Sequence, residues 1–166
     1  MSLLIDALAF GHILSAVAWL GGGILTGFVL GPSMSRLSPP AALEFNARVL
    51  PRMLRYIGAS IGSTFLFGLL LLYELYGSNF SSFMTTSTGH EIAAGVVFGV
   101  LAAVVAMAVT FPSFRRIARL SEEALKSSPP TPSPEMAKYG SRARLGAMIA
   151  TVLLLLALAM MVAAGF

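Results

Sequence analysis

The chain has no cysteine, which removes disulfides, thiolate metal ligation and thiol redox chemistry and leaves histidine, carboxylate and methionine as the side chains able to hold a metal. Charge is scarce as well. Only 11% of the 166 residues are charged, against 57% hydrophobic, a balance outside that of soluble domains. With a mean hydropathy of +0.84, the composition specifies an integral membrane protein. The apolar runs lack period-two alternation, which argues against a membrane β-barrel. No strand-turn-helix elbow groups a serine with a histidine and an acid, so nucleophilic catalysis has no support.

Four continuous apolar stretches are present, at about 3–30, 56–76, 90–111 and 145–166. Each is long enough to cross a hydrocarbon layer of ~30 Å, which takes roughly 20 helical residues. The expected fold is an all-α integral membrane protein, a single domain over 1–166 folded as an antiparallel four-helix transmembrane bundle, with connections at 31–55 and 112–144. The first stretch reads as a true span. It has no basic residue ahead of it, it is too long for a signal-peptide core, and it holds Asp6.

Basic residues are missing from both termini and from the connection GSNFSSFMTTSTG, residues 77–89. All 11 fall on the other two connections: Arg36, Arg48, Arg52 and Arg55 on one, and Arg115, Arg116, Arg119, Lys126, Lys138, Arg142 and Arg144 on the other. The positive-inside rule makes those connections cytoplasmic and turns both termini outward, the arrangement of a multi-pass protein of the cell (plasma) membrane. Anionic lipid beside these loops accounts for the net charge of +4 without any nucleic acid.

Within the first basic connection, SPPAALEFNARVL offers Ser38 as a cap for a helix starting at Pro39 and Pro40, and Pro51 suits the start of the helix entering the second span. The second begins as SFRRIARLSEEALK, a basic extension of the third span, passes through a stiff proline-rich spacer at 127–134, and restarts at Glu135. No internal repeat is evident. Small residues recur at i+4 in Gly58 and Gly62, in Gly95, Gly99 and Ala103, and in Gly146 and Ala150, with a further cluster at Gly21 to Gly23. Such stripes let helix backbones approach closely.

Ionisable residues on the outer half are Asp6, His12, Glu74, His90 and Glu91. His12 lies about ten residues into the first span, ~15 Å deep at 1.5 Å per residue. An ionisable group at that depth is costly enough to be a functional candidate; a bond from neutral imidazole to a backbone carbonyl or to Ser15 is the structural alternative. The face of His12 continues through Ser15, Ala16, Trp19, Gly23 and Thr26. It offers one ligand, one flat ring and then small residues, a face suited to a planar macrocycle. Histidines on different helices of a bundle, here His12 and His90, ligate haem b from both sides, which gives a b-type cytochrome with an electron-transfer role near the outer face. The partners expected are the lipid bilayer, a redox partner or quinone, and a homo-oligomer or larger complex. Two other readings use the same residues. His12, His90, Glu91 and Met84 are a donor set compatible with copper, and the small-residue stripes suit a cofactor-free structural subunit of a membrane complex.

The run HILSAVAWLGGGILTGFVLGP, with His12, Trp19, Gly22 and Pro32, resembles the first helix of CopD-like copper-resistance membrane proteins and, more loosely, that of HemJ-type protoporphyrinogen oxidases. TSTGHEIAAG followed by a long apolar run and a basic end also looks CopD-like. The resemblance implies a small helical membrane protein in which the first-helix histidine is tied to copper or haem b. Two departures qualify it. Those families carry a lysine early in the third helix, where this chain has His90 and Glu91, and Ser33 stands where the HemJ-type first helix has a basic residue after its proline. The resemblance thus implies haem ligation with His90 in the lysine's place, and not protoporphyrinogen oxidation.

Overall fold

The computed structural model describes residues 2–165, and those residues form helices and turns without any strand. Helix α1 (Leu3–Ile24) is capped by Ser2, whose hydroxyl accepts from the Ile5 amide. It runs through a π-helical turn, Leu25–Leu30, into α2 (Gly31–Met34). α3 (Pro39–Arg48) and α4 (Leu50–Tyr76) are separated by Val49 alone, and each has proline in its first turn, where a missing N–H costs nothing. A short α5 (Phe80–Phe83) turns the chain into α6 (Ser87–Val105), which passes through a second π-helical turn, Ala106–Thr110, into α7 (Phe111–Ala124). α8 (Pro134–Ala163) opens with the Ser133 hydroxyl accepting from the Glu135 amide.

Four helical bodies, Leu3–Met34, Pro39–Phe83, Ser87–Ala124 and Pro134–Ala163, are long and apolar enough to cross a membrane. They extend well beyond the apolar runs. Much of the connections 31–55 and 112–144 is helical, with α3 and α8 both packed on α7. The proline-rich stretch 127–133 is the longest part of them without regular structure, beside 35–38 and the turn at 125–126. The fourth span ends at Ala163, where the Ala164 amide closes on the Met160 carbonyl; of the expected limit at 166, Phe166 lies outside the described residues.

Two hairpins make up the bundle. α1 packs along α4 and α6 along α8, and the hairpins join through a core of Trp19, Leu54, Ile61, Ala102, Ala106 and Phe111. The end that carries the basic residues is further braced by α3 and α8 against α7. Leu43 of α3 is fully buried there, and Ile117 and Leu120 of α7 are buried beside the same interface. One ion pair, Arg116 to Glu135 at 3.1 Å, spans α7 and α8 at the surface. Elsewhere large apolar side chains point outward, Phe10 at 68% exposure and Val17 at 62% among them. Only lipid satisfies such a surface, so the fold is that of a multi-pass membrane protein.

Glycine sets the closest approaches, although not always where the i+4 stripes lie. Gly95 faces Met161 and the Ala157 carbonyl, Gly146 faces Thr110 and Val109, and Gly22 faces Tyr56 and Ile57. Gly21 and Gly62 face open space, so their places in the stripes carry no contact. The tightest notches of the first hairpin are Gly11, against the ring of Phe67, and Gly68, against His12.

The two π-helical turns also reveal a short internal correspondence. VLGPSMSR (29–36) and VTFPSFRR (109–116) share Val, Pro, Ser and Arg in register. Proline cannot donate a backbone hydrogen bond, and the chain widens before it: the Gly31 amide reaches back to the Thr26 carbonyl, and the Phe111 amide to that of Ala106. Ser33 and Ser113 then donate to the Val29 and Val109 carbonyls, each at 2.7 Å. The first and third spans therefore carry the same π-helical turn, with the same proline and serine, near the same end of the bundle.

Candidate functional site

His12 is half-buried on α1, with Nδ1 2.9 Å from the Thr64 carbonyl oxygen on α4. A carbonyl only accepts, so Nδ1 carries the proton and the imidazole donates. Nε2 is left with its lone pair and has no hydrogen-bond partner among the described residues. The ring fits because the facing residue is glycine: a Cβ on Gly68 would lie 2.7 Å from Nδ1 and 2.8 Å from Cε1. One residue earlier on each helix, Gly11 receives the ring of Phe67, which a Cβ at that position would meet at 3.0 Å. Thr64 adds its own order, since its hydroxyl donates to the Ser60 carbonyl at 2.7 Å and leaves the Thr64 carbonyl to meet the histidine.

The other expected ligands sit elsewhere. α6 begins at Ser87, capped by Thr86, whose hydroxyl accepts from the Gly89 amide at 3.0 Å. Gly89 is required at this point, because a Cβ there would run into the Phe83 carbonyl. His90 consequently lies in the first turn of α6 and is exposed. Glu91 is half-buried and within 3.4 Å of the Ser87 hydroxyl; Met84 is half-buried in the turn before the helix. Asp6 and Glu74 are exposed. Among the described residues no three His, Asp or Glu side chains gather closely enough to hold a metal ion.

Trp19 is 3% exposed, with its ring 6.2 Å from that of Phe65 and tilted 52° to it. It is packed between the hairpins and presents no free face. A Cβ on Gly23 would lie 3.5 Å from the Thr151 hydroxyl, so Gly23 faces α8, and Ser15 is half-buried. The structure therefore joins Trp19 and Gly23 to the interior of the basic half, and His12 to α4. Gly68, Gly11 and Thr64 were not singled out from the sequence. The spacing of Thr64 and Gly68, a hydroxyl and a glycine one helical turn apart, was the signal that a partner side chain could enter there.

One axial ligand of a haem is thus well prepared, because a ligating histidine ordinarily fixes its ring by donating its other N–H to a carbonyl or carboxylate. Room for a macrocycle inside the bundle is not. The interior cavity beside Trp19 measures about 40 Å³, against roughly 300–1,000 Å³ for pockets of drug-sized ligands. A groove of about 240 Å³ near the other end is lined by Leu69, Leu72, Tyr73, Gly77 and Phe80 and has no ligating side chain. The residues fit one-sided ligation at His12 and do not supply a second ligand beside it. No family model matches the chain, and no curated protein or solved structure is significantly similar to it.

Proposed function

We propose that the protein is a haem b-binding protein of the cell membrane, with His12 Nε2 as an axial ligand and an electron-transfer role near the outer face. The observation that carries this reading is the bond from His12 Nδ1 to the Thr64 carbonyl at 2.9 Å. It fixes the tautomer that leaves Nε2 as a donor to iron, and it holds the ring against rotation. The basic connections lie on the cytoplasmic side in this reading, by the positive-inside rule. Bound haem would supply one-electron chemistry. The chain's own part is to orient the imidazole and keep its Nδ1 proton on a backbone oxygen at a depth where water is scarce. His90 enters only as a weaker second ligand, being exposed on the first turn of α6.

The test is a visible spectrum of the detergent-purified protein, oxidised and dithionite-reduced, beside that of the His12→Ala variant. Sharp α and Soret bands in the parent that the variant loses support the reading; bands unchanged in the variant remove His12 as the ligand. A cofactor-free structural subunit is the second reading, favoured by the Gly68 notch, which already gives His12 a packing role across α1 and α4. It predicts no chromophore and co-purification with a partner. Copper on His12, His90, Glu91 and Met84 has less support, since no three acidic or histidine side chains converge among the described residues.

A further inference from the structure

Charge is divided unevenly between the two ends of the bundle. All 11 basic residues belong to one end, together with Glu44, Glu122, Glu123 and Glu135, and the other end holds Asp6, Glu74 and Glu91. Among the described residues only Arg116 is ion-paired. Arg52 and Arg55, at the start of α4, are exposed and meet no carboxylate. Each is steadied by its own helix instead. Arg52 Nη1 donates to the Arg48 carbonyl at 3.0 Å, and Arg55 Nε to the Pro51 carbonyl at 3.3 Å. A guanidinium carries five N–H donors, so both keep most of theirs for another acceptor.

The face of α4 that carries these arginines continues, in steps of three and four residues, through Ala59, Gly62, Leu66 and Leu69, all of them exposed. Between the arginines and the leucines the surface is smooth. Ala59 is small, and a Cβ on Gly62 would meet nothing within 4 Å. The rise from Arg55 to Leu66 is about 16 Å at 1.5 Å per residue, about half of a ~30 Å hydrocarbon layer. Unpaired positive charge above a smooth apolar strip one leaflet deep matches the two ends of a phospholipid. We propose that this face of the second span binds an anionic phospholipid, its phosphate on Arg52 and Arg55 and an acyl chain along Ala59 and Gly62. Arginine suits the task, because its planar fork pairs with phosphate through two parallel bonds. The fourth span has the charge without the strip: Arg142 and Arg144 are followed at once by Leu145, Met148 and Ile149, which are large and exposed. The basic end thus holds a defined lipid site within a wider positive field, and it does so whether or not His12 holds a haem.

The test is native mass spectrometry of the full chain in detergent, titrated with dioleoylphosphatidylglycerol or with dioleoylphosphatidylcholine, which has the same acyl chains. The parent should retain phosphatidylglycerol in preference to phosphatidylcholine. In the Arg52→Gln/Arg55→Gln variant its affinity should fall about thirtyfold, the effect of two basic residues at an anionic lipid surface. Arg142→Gln/Arg144→Gln removes the same charge away from the strip and should bind as the parent does. Gly62→Leu fills the strip with both arginines intact and should weaken retention severalfold. Equal losses in the two arginine variants overturn the proposal, being the behaviour of a diffuse basic surface. So does equal retention of the two lipids by the parent, or retention like the parent's in Arg52→Gln/Arg55→Gln or in Gly62→Leu.

Discussion

The two hairpins use one packing device and reach different chemical ends. In α1 and α4, Gly68 opens a notch that the His12 ring enters; in the second hairpin, Gly146 of α8 opens a notch for the Thr110 hydroxyl. His12 finds the Thr64 carbonyl, whereas Thr110 finds no acceptor among the described residues. Space made by a glycine therefore does not by itself decide what a polar side chain does in a membrane interior. What decides is whether the partner helix offers a backbone oxygen at that point. In the first case the bond is made and a nitrogen remains free; in the second a donor stays buried without a partner among the described residues.

Trp19→Ala should disturb this comparison most, because Trp19 belongs to the core shared by both hairpins. The expected loss is about 3–5 kcal/mol, read from the unfolding midpoint by circular dichroism in detergent. Gly68→Ala and Gly146→Ala come next, each pressing a methyl group into a polar atom, with roughly 1–3 kcal/mol lost in the same assay. Gly62→Ala sharpens the contrast, since a Cβ there meets nothing within 4 Å; it should be neutral, or gain up to about 1 kcal/mol from helix propensity. His12→Leu removes the bond to Thr64 at a cost of about 0.6–1.7 kcal/mol, typical of hydrogen bonds between membrane helices. Arg116→Gln should matter least. Its pair with Glu135 is at the surface and screened by solvent, so the unfolding midpoint should stay within error of the parent and any shift should fade with added salt.

The four spans were legible because length and continuous hydropathy report directly on lipid contact. Their extensions were legible in part: Ser38, Pro39 and Pro40 marked a helix start and SFRRIARLSEEALK an extension of the third span, but the packing of α3 against α7 carries no signal in the sequence. His12 stood out as an ionisable group deep in a span, and the carbonyl alternative was open from the start. Its particular partner was hidden, because a backbone oxygen carries no residue label. The i+4 stripes led toward Gly58 and Gly62 and past Gly68, whose role depends on which residue of α1 lies opposite. Trp19 and Gly23 do continue the His12 face of α1, but that face meets α4 at one level and the interior cavity at another. Helical periodicity gives direction around an axis and not the depth at which a neighbour arrives. The shared V-x-x-P-S-x-x-R pattern was in plain view. It gained meaning only when both copies proved to follow π-helical turns and to make the same serine bond.

Ligand rescue of a His12→Gly variant is the measurement that bears most directly on the His12 assignment. The variant is purified with and without exogenous imidazole, and its reduced-minus-oxidised spectrum is compared with that of the parent. The account predicts b-type bands in the parent, their loss in the variant, and their return when free imidazole occupies the vacated position beside the Thr64 carbonyl. A parent without any haem spectrum, or a variant whose bands persist without imidazole, contradicts it.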